Sequence, residues 1–400
     1  MNVGTLSLRY LFSRPLQALL NLLLLTLGLA SITFVLLASE QVQRAFERDL
    51  AGIDAVVGAK GSPMQLILSA VFQLDAPTGN VPLAEVQKLA KHPLVAQVIP
   101  LSLGDSYEGF RIVGTTPDYL AHYKLQVAQG HAWLQPMQAV AGAQAAAAAH
   151  LAPGMRFAGS HGLAGGGDAH AAKPYQIAGV LAPCGCVADR LLLTSLESVW
   201  EVHEHHAPGM EQDHDEDDAK REVTAALVRY RTPLAAVSLP RQVNATTPMQ
   251  AAAPALEVSR LLRMLGVGSE VLRGVGFVLL LTAGLSVFIA LWNAVRERRA
   301  DLATLRMLGA PPRRIAGLLL AEALWLALAA SLLGLAVGHV LMGITGALLA
   351  ERQSLPLTGA LFLPQELWIP ALAAAVALAA ALVPAIGAYR TDAGELLNAR

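Results

Sequence analysis

The chain has 400 residues, of which 54% are hydrophobic and 15% charged, with a formal net charge of −1. About a quarter of the residues in an ordinary soluble domain are charged, so this composition excludes that class and points to a membrane protein. The near-neutral balance assigns no partner by itself, and nothing in the chain points to nucleic acid.

In chain order, residues 1–14 carry Arg9 and Arg14, and 15–39 form an uncharged apolar run. A helix needs roughly 20 apolar residues to cross a hydrocarbon core about 30 Å thick, and this run is long enough. Its basic lead-in and the small residue Ala38 also fit a cleaved signal peptide, but signal cores extend only about 7–15 residues, so the run reads as a retained anchor. Residues 40–270 are a long hydrophilic insertion, sufficient for one or two compact domains. Its edges read as helical stalks: Val42, Phe46 and Leu50 share one face, and Leu256, Leu261, Leu262, Leu265 and Leu272 recur at similar spacing.

Within the insertion, Gly58-Ala59-Lys60-Gly61-Ser62 has its lysine before the glycine, so it is not a P-loop. The chain therefore carries no ATP-binding apparatus of its own. Pro82 to Lys91 predicts a helix that stops before His92-Pro93. Val95 to Leu101 and Phe110 to Gly114 predict strands separated by a Gly-Asp turn. Ala139 to Ala149 is alanine-rich, Gly165-Gly166-Gly167 reads as a loop, and Tyr175 to Leu181 and Ala225 to Tyr230 predict further strands. An α+β domain follows.

Cys184 and Cys186 are the only cysteines. Their spacing admits reduced thiols that bind a soft metal, a labile disulfide, or a merely structural turn. A helix beginning near Thr194 leads into His203, His205 and His206, with His214 among the acidic residues Glu211, Asp213, Asp215, Glu216, Asp217 and Asp218. Four of the chain's 11 histidines fall in this short stretch, a concentration that argues for binding a divalent metal such as zinc. The competing reading is a solvated polar insertion. A metal hydrolase is disfavoured because the helical His-Glu-x-x-His pattern is missing, so no catalytic residues are assigned and the chain is read as a non-enzyme.

Residues 271–294 form a second apolar run. Residues 295–314 are rich in arginine: Arg296, Arg298, Arg299, Arg306, Arg313 and Arg314. A third run spans 315–349, interrupted by Glu322 and His339. After an outer loop at 350–366, a fourth run spans 367–389, and 390–400 form a short tail. Short loops rich in Lys and Arg stay in the cytoplasm, which places 1–14, 295–314 and 390–400 inside and 40–270 outside. Glu322 then snorkels toward the cytoplasmic face, pairs with Arg313 or Arg314, or serves coupling. His339 reads as a packed or interfacial residue. Gly334 and Gly338 allow close helix approach, either within the chain or between two copies.

The segment Arg298-Arg299-Ala300-Asp301-Leu302-Ala303-Thr304-Leu305-Arg306-Met307-Leu308-Gly309-Ala310 resembles the basic, acidic, then Leu-Arg-x-Leu-Gly-Ala pattern of the FtsX/MacB-like permease family of ABC transporters. Leu8-Arg9-Tyr10-Leu11-Phe12-Ser13-Arg14-Pro15-Leu16 is similar to that family's amphipathic entry helix. Tyr389-Arg390-Thr391-Asp392-Ala393-Gly394-Glu395-Leu396-Leu397 is similar to its tail, although a proline is commoner where Asp392 stands.

The resemblance implies an α-helical membrane protein with four transmembrane helices and a large α+β extracytoplasmic domain inserted between helices 1 and 2, in a bacterial inner membrane. It also implies that Arg299, Asp301, Leu302, Leu305, Arg306, Leu308 and Gly309 form a coupling helix gripped by a separate ABC ATPase subunit. The implied company is a second permease copy in a homodimer, a periplasmic partner protein and membrane lipid. Three outcomes compete for the motion: export or lipoprotein release, metal transport or homeostasis, and a signalling scaffold that regulates a periplasmic hydrolase.

Overall fold

The computed structural model describes residues 3–13, 15–162, 173–203, 221–297, 304, 307, 309–350 and 357–390. Two compact units emerge: one joins Met1–Gln43 with Met264–Arg400, and the other is Arg44–Arg263.

The first unit is helical. Helix α1 spans Val3–Phe12 and α2 spans Pro15–Leu50, whose final turns already belong to the second unit. Among the described residues, four segments are long and apolar enough to cross a membrane: Pro15–Leu50, Glu270–Glu297, Pro312–Leu349 and Pro364–Tyr389. The packed faces of these segments are made mainly of alanine and leucine. On the last of them Ala373, Ala377, Ala381 and Ala385 recur every fourth position and are all buried, a ridge that lets helix backbones approach closely where lipid supplies no hydrophobic drive. The opposite kind of face appears on the second segment, where Phe277, Leu281, Leu285 and Ile289 recur at the same interval and are exposed. Such a face suits acyl chains.

Gly334 and Gly338 are used within this chain. A Cβ on Gly334 would stand 2.7 Å from Leu29 Cβ, and one on Gly338 would stand 2.6 Å from Thr33 Cβ, so both glycines seat against α2. Near the end of the third segment, His339 Nε2 lies 2.8 Å from Glu366 Oε2 and its Nδ1 lies 2.7 Å from Gly359 O. His339 is thus a packed residue in a hydrogen-bonded corner.

The second unit is built on a mixed sheet. The unit's strands are β1 (Ala55–Ala59), β2 (Val81–Pro82), β3 (Val95–Tyr107), β4 (Phe110–Thr115), β5 (Val127–Gly130), β6 (Gln138–Ala141), β7 (Arg156–Phe157), β8 (Ser160–His161), β9 (Tyr175–Leu181), β10 (Leu191–Ser195), β11 (Glu222–Val223), β12 (Ala225–Tyr230) and β13 (Met249–Ala252), of which β2 and β11 pair only with each other in a separate small sheet. The main path runs β13-β1-β12-β3-β4-β10-β6-β9-β5, with β7 on β9 and β8 on β3. Pairs β4–β10 and β6–β9 are parallel, the rest of the path antiparallel.

Helices α3 (Pro63–Ala70), α4 (Leu83–Ala90), α5 (Pro117–His122), α6 (Ala143–Ala148), α7 (Leu196–His203) and α8 (Ala235–Thr246) accompany it, and α9 (Pro254–Glu297) leads out. The core under α2 gathers Phe46 edge-on against Phe72, with ring centroids 4.7 Å apart. Leu50 packs on the same cluster. On the exit side Val258 is buried, while Leu256 and Leu272 of the expected leucine row are 68% and 49% exposed.

One strand differs from its expected length. Gly104-Asp105 is not a turn: β3 continues through it to Tyr107, and the chain reverses at Glu108-Gly109, where φ is +48° and +82°. Two consecutive positive φ values define the hairpin turn whose twist matches the strands, and glycine at the second position adopts one of them without a Cβ clash.

Candidate functional site

The longer β3 matters because it carries Asp105. The register of β3 against β4 shifts between Leu103 and Ser106, an irregularity of the kind that re-aims side chains next to sites. On the other side of β3, Asp105 stands directly opposite His161 of β8. Directly opposed residues hold their side chains within contact range, and His161 Nδ1 is 3.1 Å from Asp105 Oδ1.

The third member arrives on α7. This helix starts where Ser195 Oγ accepts from Ser198 N at 3.3 Å, the side-chain cap that satisfies an orphan amide of a first turn. Leu196, Val199 and Val202 form its buried stripe, and anchoring that stripe sets the last residue, His203, beside Asp105. His203 Nε2 lies 3.4 Å from Asp105 Oδ1, and its Nδ1 lies 2.8 Å from Val199 O. Since a carbonyl only accepts, Nδ1 carries a hydrogen and Nε2 faces the carboxylate. The hydrogen bond to Asp105 holds His203 above its ordinary pKa, against the opposing effect of burial.

Asp105 is 4% exposed. A buried carboxylate is costly unless opposite charge or hydrogen bonds compensate it, and two imidazole nitrogens converge on one of its oxygens. The Tyr175 phenol is fully buried, and its hydroxyl has no hydrogen-bond partner among the described residues. Burial, with the charges of Asp105 and Glu201 added, pushes its pKa well up. The ligand atoms of Asp105, His161 and His203 all lie within 4.8 Å of one another, a grouping that can hold a metal ion.

Of the histidines nominated from sequence, His203 is therefore in a cluster, and His205, His206 and His214 lie outside the described residues. Asp105 and His161 were not nominated. The signal that marks them is the strand pairing of β3 with β8, which no local pattern reveals.

Cys184 and Cys186 are bonded to each other. Asp189 braces the turn by accepting from the backbone N–H groups of Cys184 at 2.9 Å and Gly185 at 2.7 Å. The thiols are thus joined rather than available as soft ligands.

Arg299, Asp301, Leu302, Leu305, Arg306 and Leu308 lie outside the described residues. Gly309 is described and has φ of +90°, a left-handed conformation suited to a helix C-cap. Pro312 then opens the next helix, α10 (Pro312–Ala350), and α11 (Trp368–Arg390) follows it. Glu322 on α10 is 4% exposed and lines a small pocket with Tyr10, Gln17 and Asn21. Asn21 Oδ1 in turn accepts from Ser286 Oγ at 2.6 Å. Glu322 thus belongs to a small, mainly apolar pocket inside the helical unit.

Two family models match the chain. The MacB-like periplasmic core domain matches residues 18–256, and the FtsX-like permease C-terminal model matches residues 273–393. Among solved structures the chain is similar to the periplasmic region of MacB from Actinobacillus actinomycetemcomitans, at 12% identity over 53% of this chain and 95% of that one, with a TM-score of 0.34. It is also similar to the extracellular domain of the noncanonic ABC-type transporter YknZ from Gram-positive bacteria, at 12% identity over 49% of this chain and 97% of that one, with a TM-score of 0.31. No curated protein sequence matches it.

Proposed function

This chain belongs to the FtsX/MacB-like permease family of ABC transporters, and from that premise we propose that it couples ATP hydrolysis by a separate ATPase subunit to movement of its extracytoplasmic domain. The observation that carries the reading is the position of residues 295–314. They join the second and third apolar segments inside the FtsX-like match, and they combine arginines with the Leu302, Leu305 and Leu308 stripe. A short helix of that composition suits a groove on a soluble partner. Arg299, Asp301 and Arg306 flank the stripe for polar pairing, and Gly309 ends it.

Mechanical transmission is favoured over a hydrophilic conduit because the buried faces of the helical unit are mainly alanine and leucine. The working unit is two permease copies with two ATPases, in the bacterial inner membrane, with a periplasmic partner protein receiving the motion. Catalysis lies in the ATPase chain. Among the possible cargoes, a metal-related role is favoured by the cluster of Asp105, His161 and His203.

Replacing Leu305 with Asp places a charge in the middle of the apolar stripe. Co-purification of the ATPase with the permease is expected to fall at least about tenfold, equivalent to about 1.4 kcal/mol, and permease-dependent ATP turnover should fall with it. Undiminished assembly and turnover in this variant would remove the coupling role.

A further inference from the structure

We propose that Asp105, His161 and His203 form a binding site for a divalent cation of the zinc class, with three protein ligands among the described residues. The proposal deepens the metal-related part of the reading above and is independent of ATPase coupling.

The geometry of the cluster is compatible with a coordination shell, its three ligand atoms lying within 4.8 Å of one another. Zinc holds imidazole nitrogen and carboxylate oxygen at about 2.0–2.2 Å in a tetrahedron, which sets neighbouring ligand atoms about 3.3–3.6 Å apart. The two distances to Asp105 Oδ1, 3.1 Å and 3.4 Å, fall close to that edge length. The ligand atoms reach the cluster from β3, β8 and α7, elements with separate reasons for being where they are.

His203 is prepared in a second way. Its Nδ1 hydrogen is committed to Val199 O at 2.8 Å, the carbonyl anchor that fixes a metal-binding imidazole in one tautomer and orients its other nitrogen. In the neutral ring, Nε2 then aims a lone pair at Asp105 Oδ1, and His161 Nδ1 stands 3.1 Å from the same oxygen. Lone pairs that converge on an anionic oxygen repel unless positive charge lies among them. A bound cation supplies that charge.

The donor set selects the ion. Two imidazoles and one carboxylate suit zinc, copper or nickel and disfavour calcium or magnesium, which prefer oxygen shells. Accessibility differs across the cluster. The Asp105 side chain is 3% exposed, that of His203 36% and that of His161 51%, so one wall is fixed and the imidazole side is open to water. Solvent-facing imidazole ligands suit reversible binding over a sealed structural site.

The test uses the purified full chain in detergent, stripped with a chelator, without nucleotide or ATPase. Zinc is titrated in competition with a fluorescent chelator, and cobalt(II) is added separately to read its visible absorption. Wild type should bind zinc, and calcium should not displace it. Asp105→Asn keeps the shape of the side chain, and His161→Gln alters a half-exposed position. Each should weaken zinc binding by more than the 10–100-fold typical of losing an outer-shell partner and abolish the cobalt bands.

The variant His205→Ala/His206→Ala/His214→Ala should retain the site. Zinc affinity unchanged in both Asp105→Asn and His161→Gln, or absent from wild type, overturns the proposal. If either substitution impairs folding, as judged by metal-free thermal unfolding, X-ray absorption of zinc-loaded wild type decides: two imidazoles in a shell of nitrogen and oxygen support the site, and any other shell overturns it. Because nucleotide is absent, failure here leaves ATPase coupling standing, and failure of coupling leaves this site standing.

Discussion

Asp49 illustrates how one buried group sets a pH response. Burial raises its carboxyl from the ordinary 3.8 to about 6, although Arg48, 3.7 Å away, and the Val187 amide, at 3.2 Å, both favour the charged form. Between about pH 4 and 6 the folded chain therefore holds a proton that the unfolded chain has released. Stability is highest below that window and falls as pH rises through it. Two pKa units correspond to about 3 kcal/mol at most, so a loss on the order of 1–3 kcal/mol is expected in unfolding of the full chain between pH 4 and 7. Asp49→Asn should flatten that slope while its side-chain oxygen still accepts from Val187. A variant as pH-sensitive as wild type over this window would assign the response to other groups.

At this scale the sequence announced His203, because histidines crowd around it, yet gave no hint of Asp105. A glycine before an aspartate has the composition of a turn, and only the continued pairing of β3 with β4 and β8 makes it a strand residue.

At the scale of elements, glycines on one helix separate packing from propensity. Gly317 and Gly338 both lie in α10. A Cβ at Gly317 meets nothing within 4 Å, whereas one at Gly338 meets Thr33 Cβ at 2.6 Å and Ala30 O at 3.2 Å. Alanine is better than glycine in a helix interior by about 1 kcal/mol, and overpacking costs about 1–3 kcal/mol. Gly317→Ala should therefore leave the thermal midpoint in detergent unchanged or raised, and Gly338→Ala should lower it. Equal midpoints for the two variants would show that α2 gives way at Thr33.

Elements with strong local patterns were legible: Tyr175–Leu181 and Ala225–Tyr230 are strands at the expected bounds, and the helix expected from Pro82 to Lys91 runs Leu83–Ala90. The alanine-rich stretch divides into β6 and α6 around Gly142. Alanine favours helix, but the partners β9 and β10 claim its first residues for the sheet, an outcome decided by tertiary pairing rather than propensity.

At the scale of the whole molecule, four apolar helices with a large domain of strands and helices between the first and second could be read from hydropathy, because an uncharged run of membrane length has few other uses. The strand order could not, since β1 and β13 come from opposite ends of the domain and yet are neighbours.

Topology gives the prediction at this scale. With Cys184 and Cys186 joined, single cysteines introduced by His205→Cys and Arg306→Cys become the reactive thiols. An impermeant maleimide should label His205→Cys in intact cells and Arg306→Cys only after the inner membrane is opened. Labelling of both positions from the same side would leave residues 295–314 with no ATPase to contact.

The pairing of β1 with β13 carries a mechanical corollary. The strands are antiparallel, with Val56 opposite Ala252 and Ala59 opposite Met249, so α2 enters and α9 departs at the same end of the pair. Ladder hydrogen bonds run across the strands. A pull that spreads the two helices would peel those bonds open one after another, starting at Val56, which is the weakest way to load a ribbon. A displacement shared by both helices loads none of them, so the β1–β13 pair stays closed when α2 and α9 move in step and yields if they are drawn apart.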